Sequence, residues 1–110
     1  MATPEEFAAI EMRVGTVLQA EPFPEARNPA IKLTIDFGAE FGVRRSSAQL
    51  TAHYTPASLV GRQVVAAVNL GTRRIAGFES QVLVLGAMPT ATEVVLLSPD
   101  QRVPDGTRIA

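Results

Sequence analysis

The 110-residue sequence predicts an all-β fold, a small barrel of five principal strands with short helices and terminal extensions. Two observations predict it. Several segments alternate apolar and polar residues with the period of two that is typical of half-buried strands. Prolines and glycines interrupt the chain between these segments, so the strands must be short and joined by turns. The length suits a single domain over residues 1–110, and the small core of such a domain favours dimerisation.

The first residues predict a short helix followed by the first strand. Thr3 can cap the helix, Pro4 occupies its first position, and Glu6 completes a capping box. The helix can bury Phe7 and Ile10, but a lone small barrel has little room for them, so we expect apolar residues of both termini to form a homodimer interface. The strand that follows has an apolar side made of Ile10, Met12, Val14 and Leu18.

The next segment, residues 21–30, contains three prolines and is therefore expected to be a loop. Residues 31–37 then alternate strictly between apolar and polar side chains, which makes them the clearest half-buried strand of the chain. A turn at residues 38–42 separates this strand from a third strand over residues 43–48.

The second half of the chain predicts a capped helical turn at residues 55–60 and then two apolar strands. Residues 64–70 and 82–86 are near-continuous apolar runs, as expected of strands buried on both faces. Between them lies a basic loop bounded by glycines, residues 71–77. A further short strand is expected at residues 94–97.

Five strands with a helix between the third and the fourth is the order of an oligonucleotide-binding (OB) barrel. Ligands of such barrels lie across strands two and three and against two loops, which join strands one to two and four to five. In this sequence the two loops correspond to residues 21–30 and 71–80.

The charges of the sequence are unevenly distributed along the chain. The net charge of −1 alone argues against a polyanionic partner. Residues 1–40 carry seven acids and three bases, however, whereas residues 41–80 carry five arginines against a single acid, Glu79. A nucleic-acid ligand therefore stays open, with its contacts in the central segment.

The residues that enzymes need are scarce in this sequence. It has no cysteine, a single histidine, and none of the nucleophile-elbow, zinc-protease or phosphate-loop motifs. His53 cannot hold a metal alone and is expected to pack at a helix entrance. We therefore expect a non-enzymatic protein without metal or cofactor. The acidic N-terminus and the lack of long apolar runs predict a cytoplasmic location without membrane insertion.

Arg73 and Arg74 form the most informative pair, because two guanidinium groups in a glycine-flanked loop can close over a phosphate backbone. The same pair could equally be the solvated tip of a hairpin. Arg44 and Arg45 on the adjacent predicted strand favour binding.

Polar and aromatic residues near these loops are further candidates. Ser47 and Asn69 can contact sugar and phosphate, although such residues at strand ends also serve to form turns. Aromatic residues are few, which favours folded RNA over single strands. Phe23, expected to be exposed between two prolines, and Phe78 could line a groove for extended peptides; both could also be core residues.

Six stretches together carry a family resemblance: Met12 to Val17, Phe23 to Arg27, Lys32 to Gly38, Ser46 to Gln49, Gly61 to Val65, and Arg73 to Gly86. They cover most of the chain in family order. The sequence is similar to the tRNA-binding domain family, and within it to the small export-related chaperones of the CsaA type. One departure is Ser80-Gln81-Val82-Leu83, where the wider family often has Ser-x-Gly-Met; CsaA-like proteins share this departure.

The resemblance implies an OB barrel whose terminal extensions build a homodimer, with no cofactor. It implies two kinds of ligand, tRNA and unfolded preprotein segments during protein export and secretion. The positions that match the tRNA-facing strip of the family are Lys32, Ser47, Asn69, Arg73, Arg74 and Ser80. The leading hypothesis is a tRNA-binding protein that is also an export chaperone. The alternative is a dedicated peptide-binding secretion chaperone with no physiological RNA ligand.

Overall fold

A computed structural model describes residues 1–110 and consists mainly of short strands. The elements in chain order are α1 (Pro4–Ala9), β1 (Met12–Pro22), β2 (Ile31–Asp36), α2 (Gly38–Phe41), β3 (Val43–Ala48), α3 (Pro56–Leu59), β4 (Gln63–Ala67), β5 (Arg73–Ile75), β6 (Phe78–Ser80), β7 (Leu83–Val84), β8 (Gly86–Ala87) and β9 (Val95–Leu96). Five strands form an antiparallel sheet in the order β3–β2–β1–β4–β7. The pairs β5–β6 and β8–β9 are separate hairpins.

The sheet rolls into a nearly closed barrel because β3 also meets the segment that precedes β7. The backbone N–H of Gln81 donates to the carbonyl of Arg45 at 2.8 Å, and the Arg45 N–H donates to the Gln81 side-chain oxygen at 2.9 Å. The buried Ser46 hydroxyl donates to the Val82 carbonyl at 3.1 Å. The predicted all-β fold, a five-stranded OB barrel with short helices, is confirmed.

Strand β2 shows how the sequence builds the core. Its apolar residues Ile31, Leu33 and Ile35 are buried, while the polar residues between them face outwards and are half-buried. Gly15 on the neighbouring strand allows this packing, because a Cβ atom there would lie 2.6 Å from Cγ2 of Ile35. The strict alternation predicted for this strand therefore sets both the core and the outer face of the barrel.

Strand β1 departs from simple alternation. Its pairing with β2 shifts by one residue between Val17 and Gln19, which is a β-bulge at Leu18. A bulge adds one residue to a strand and redirects the side chains that follow. Val17, before the bulge, faces the core, and Leu18 faces outwards at 45% exposure. The bulge keeps Gln19 on the outside as well, so that Ala20 is the next residue to pack against the core. The prediction that Leu18 lies on the apolar core side was wrong.

The two predicted helix starts are both present. Thr3 and Glu6 form the expected capping box of α1, and Thr55 caps α3 in the same way. Helix α1 buries none of its residues, and Phe7 and Ile10 remain 47% and 43% exposed in the single chain. No helix has the length and apolar character needed to cross a membrane.

Four further segments differ from prediction. Residues 38–42, expected as a turn, contain the helical turn α2, and the fourth strand ends at Ala67 rather than residue 70. The run 82–86 divides into two very short strands, and Leu83 is 53% exposed, so this strand is not buried on both faces. The basic loop, expected over residues 71–77, supplies strand β5 and the turn of the β5–β6 hairpin. Apolar composition alone could not show that the barrel has only one covered face here.

The segment of residues 103–109 completes the barrel by pairing with β1. The Val14 N–H donates to the Thr107 carbonyl at 2.9 Å, and the Gly106 N–H donates to the Val14 carbonyl at 2.7 Å. The Gln63 side chain donates to the Val103 carbonyl at 2.7 Å, which fixes the start of the segment. The first half of β1 is therefore hydrogen-bonded on both of its edges.

Candidate nucleic-acid interface

A pair of aromatic rings forms the floor of the candidate site. Phe23 follows β1 and Phe78 begins β6, and their ring centroids lie 5.4 Å apart in an edge-to-face arrangement. They are 3% and 6% exposed and, with Ala30, make a small core separate from that of the barrel. The Phe23 N–H donates to the Ala30 carbonyl at 3.1 Å, which closes the loop around the ring. The expectation that Phe23 is exposed was therefore wrong.

Two cationic side chains lie over these rings. The Lys32 ammonium is 4.6 Å from the Phe23 centroid and 5.3 Å from the Phe78 centroid. The Arg45 guanidinium carbon lies 4.3 Å from the Phe78 centroid. Neither cation has a carboxylate within salt-bridge distance, since the ion pairs of the chain involve Arg13, His53 and Arg74. The rings thus hold both charges in place without neutralising them.

The pairing of β2 with β3 explains why the two cations meet. Lys32 is opposite Ser47 and Thr34 is opposite Arg45 in the antiparallel register. Because side chains alternate between the faces of a strand, these four residues share the outer face of the sheet. The alternation that predicts the core therefore also places Lys32 and Arg45 together.

The β5–β6 hairpin brings Phe78 and a third cation to the same place. Its two-residue turn, Ala76-Gly77, has positive φ at both positions, 46° and 80°, as a type I′ turn requires. Arg74 pairs with Glu79 across the hairpin, with 3.0 Å between their side-chain atoms. Both side chains are mostly exposed, so this ion pair contributes little and Arg74 can exchange partners.

These groups line an open cavity of about 570 Å³. Its lining consists of Phe23, Glu25, Lys32, Arg45, Arg74, Ala76, Gly77, Phe78 and Glu79. Three cations thus lie beside two acids around an aromatic floor. The acids Glu25 and Glu79 were not among the predicted site residues, although both belong to the two loops that the barrel order indicated.

A second cavity of about 420 Å³ adjoins the first, and Lys32 lines both. The other lining residues are Leu18, Gln19, Ala20, Glu21, Thr34 and Val60. Sequence reasoning missed this cavity. Thr34 could have been found from its position two residues after Lys32. Leu18 was assigned to the wrong side because Val14 and Val17, on opposite faces of β1, are both buried, so the sequence does not show which face meets the main core.

The structure separates Arg44 from this group. Arg44 is opposite Ile35 in the register and so belongs to the other face of β3 from Arg45. Its Nε donates to the Phe41 carbonyl at 2.9 Å. The two adjacent arginines therefore lie on opposite faces of β3, and only Arg45 lines the cavity. Arg73 shares its hairpin face with Ser80 rather than with Arg74.

Three predicted polar residues make hydrogen bonds within the chain. The Ser47 N–H donates to the Ser80 hydroxyl at 3.1 Å, which ties β3 to β6. The Asn69 side-chain oxygen accepts from the Glu11 N–H at 2.8 Å, and its NH₂ donates to the Ala9 carbonyl at 2.8 Å. Asn69 thus holds the end of α1 and the start of β1 against the end of β4. A role of these residues in RNA binding stays a prediction.

His53 lies away from the cavity, at the turn before α3 as expected. Its Nε2 is 3.1 Å from a carboxylate oxygen of Glu93, and the Tyr54 hydroxyl accepts from the Leu96 N–H at 3.0 Å. These contacts connect the turn to the β8–β9 hairpin. No group of three histidine, cysteine or acidic residues converges as a metal site would require.

Comparison with known proteins agrees with this geometry. The family model described as "Putative tRNA binding domain" matches residues 12–108. The chain belongs to the tRNA-binding domain family. The matched range contains the whole barrel, both loops and the residues of both cavities, so the family assignment covers the entire candidate site.

The curated relatives of this tRNA-binding domain are segments of larger proteins. The chain is 39% identical over 105 residues to a methionine–tRNA ligase of Methanococcus aeolicus, covering 96% of this chain and 15% of the ligase. A ligase of Flavobacterium johnsoniae is 31% identical over 96% of this chain and 14% of its own. The chain thus spans about one seventh of the length of these curated relatives.

Solved structures match the domain from end to end. The CsaA chaperone of Bacillus anthracis superposes with a TM-score of 0.96 at 54% identity, over 100% of this chain and 99% of that one. The CsaA chaperone of Picrophilus torridus gives 0.92 at 42% identity, with both chains fully covered. A protein of Pyrococcus horikoshii related to methionine–tRNA ligase gives 0.87 at 29% identity, over 100% and 98%.

Proposed function

We propose that this protein binds tRNA, without catalysing a reaction, through the cavity over Phe23 and Phe78. The observation that carries the proposal is the pair of unneutralised cations, Lys32 and Arg45, held over buried rings on the outer face of β2 and β3. Membership of the tRNA-binding domain family supports it. A cytoplasmic location, where tRNA is present, belongs to the same proposal.

The contacts suggest how the site would work. Lys32 and Arg45 would each bind a phosphate oxygen, and the rings beneath them restrict their motion before the ligand arrives. Arg74 would leave Glu79 for a phosphate as the hairpin closes. Arg45 also presents the guanidinium face that is not stacked on Phe78, on which a base can stack. Because the net charge is −1, attraction depends on these few local charges.

The test is the double substitution K32A R45A, with R62A as the matched control. Arg62 is also a cation over an aromatic ring, 5.3 Å from the Tyr54 centroid, but it lies outside both cavities. Binding of bulk tRNA is measured by fluorescence anisotropy between 50 and 300 mM KCl. Each lost phosphate contact should lower the magnitude of the logarithmic salt slope by about 0.7–0.9. An unchanged slope in the folded double variant contradicts the proposal.

A second candidate function is the holding of unfolded polypeptide for export and secretion. Its support is the end-to-end similarity to two proteins described as CsaA chaperones, together with the aromatic floor of the cavity. Extended peptides must be ordered on binding, so we expect micromolar affinity. High salt separates the two candidates, because it weakens phosphate contacts steeply and affects apolar burial little. Binding of unfolded clients that persists at high salt, without any tRNA binding, favours a dedicated peptide chaperone.

We also propose that the protein is a homodimer. Helix α1 leaves Phe7 and Ile10 exposed, and Asn69 holds this helix beside the exposed Leu70. At the other end of the chain, Val95 and Leu97 are exposed as well. A monomer would leave these apolar side chains in water, whereas a two-fold interface would cover them.

A further inference from the structure

We infer that the second cavity, beside the bulge in β1, seats one unpaired base of the bound RNA and reads its edge. This inference rests on the proposed function and extends it from phosphate binding to base recognition. It begins from Lys32, which lines both cavities. A strand whose phosphate is bound by Lys32 therefore has a neighbouring nucleotide positioned over the second cavity.

The walls of the second cavity suit a flat ring. Leu18 faces outwards beside the β-bulge, and Val60 is exposed just after α3, so two apolar side chains border the cavity without being covered by the barrel. Exposed apolar side chains beside a concave surface gain free energy when a ligand covers them. A nucleobase offers two apolar faces for such contacts.

The floor offers hydrogen bonds to the edge of the ring. Gln19 and Thr34 are opposite each other in the β1–β2 register, which places their Cβ atoms about 4.5–5.5 Å apart. Neither side chain makes a hydrogen bond to another residue of the chain. An amide supplies both a donor and an acceptor, and a hydroxyl supplies either. This pair can therefore distinguish bases by their donor and acceptor pattern.

Charge favours a base over a phosphate in this cavity. Glu21 is the register partner of Lys32 and lines the second cavity only. Its carboxylate repels phosphate, while it can accept a hydrogen bond from an exocyclic amino group. Lys32 would thus hold the phosphate on the side of the aromatic cavity, and the base would turn towards Glu21, Gln19 and Thr34.

The test compares four labelled hexaribonucleotides, one of each base, and bulk tRNA. We expect the affinity of the wild-type protein for the hexamer that it binds best to exceed its affinity for the hexamer that it binds least by about fivefold or more. The double variant Q19A T34A should lose this preference while it still binds the weakest hexamer as before. The matched control Q101A replaces an exposed glutamine outside both cavities and should keep the preference.

Several outcomes overturn the inference while leaving the proposed function intact. These are tRNA binding without binding of any hexamer, hexamer binding without base preference, and a preference that survives Q19A T34A. A variant L18A V60A that loses affinity for a permanently unfolded protein but not for RNA assigns the cavity to peptide side chains instead. If the wild-type protein binds neither tRNA nor hexamers, the proposed function fails together with the inference.

Discussion

Phe78 carries three contacts of the candidate site at once. It packs edge-on against Phe23, and both Lys32 and Arg45 lie over its ring. A contact between a solvent-exposed cation and an aromatic ring contributes about 0.5–1 kcal/mol, a modest amount that nonetheless restricts where the charge lies. We therefore expect Phe78 to affect binding through the two cations, in addition to any contact of its own with a ligand.

Replacing Phe78 by leucine should separate these roles. The variant F78L keeps an apolar side chain, so we expect a loss of unfolding free energy below about 1.5 kcal/mol. Loss of the ring should weaken tRNA binding about two- to fivefold, which corresponds to the contribution of one cation over a ring. Urea unfolding and anisotropy measure the two effects. The control is F41L, because Phe41 also lies under a cation, Arg13, but outside both cavities. Equal losses of affinity in both variants would contradict this role.

Asn69 allows a sharp choice between a structural role and a role in RNA binding. Because its amide holds Ala9 and Glu11, N69A should increase amide hydrogen exchange over residues 4–11. Each lost hydrogen bond should cost about 0.5–1.5 kcal/mol. The salt slope of tRNA binding should stay as in the wild type. A smaller slope in a variant with unchanged exchange would show instead that Asn69 contacts phosphate.

At this scale the sequence could indicate single residues but not their partners. Lys32 and Arg45 follow from alternation and charge. The Phe23–Phe78 pair joins residues from two loops that are far apart in the chain, and no local pattern shows that each ring buries the other. Two neighbouring prolines suggested an exposed Phe23, but the loop folds back onto Ala30 and buries the ring.

Among the elements, the β5–β6 hairpin carries the basic loop, which either binds RNA or is only a charged, solvated turn. If Arg73 and Arg74 both contact the tRNA backbone, R73A R74A should weaken binding about equally for all tRNA sequences. The magnitude of the salt slope should fall by about 0.7–0.9 for each contact. Stability should hardly change, because the Arg74–Glu79 pair is exposed.

Salt titrations with the folded double variant give the answer. Unchanged affinity and slope would make the hairpin a solvated tip and favour the peptide-holding function. A fall in slope by a single contact would agree with the register, in which Arg74 lines the cavity and Arg73 shares a face with Ser80.

Strands and helices could be predicted where the local sequence alone determines which side chains are buried or which residue caps the helix. The strand over residues 31–36 and both capped helix starts follow from the local sequence. The bulge at Leu18 and the exposure of Leu83 do not, because both depend on which strand pairs with which. The position of the second cavity could not be predicted for the same reason.

At the scale of the whole molecule, the exposed apolar residues of α1 and of the β9 region predict a dimer in solution. Light scattering at micromolar concentration should give twice the mass of one chain. Deletion of residues 1–9 should weaken the dimer, because it removes Phe7 and the Ala9 carbonyl to which Asn69 donates. If light scattering gave the mass of one chain for the protein without the deletion, the prediction would be contradicted. A dimer that is equally tight after the deletion would contradict it as well.

The pairing of β1 with residues 103–109 has a consequence for biosynthesis. The hydrogen-bonded residues Arg13 and Gly106 are 93 positions apart in the chain. While the ribosome is still producing the intervening residues, the edge of β1 that this segment will occupy has no partner. An uncovered strand edge can recruit a strand from another nascent chain. We therefore expect newly made protein to be vulnerable to misassembly until that segment has left the ribosome, and slow synthesis of the C-terminal residues would prolong this period.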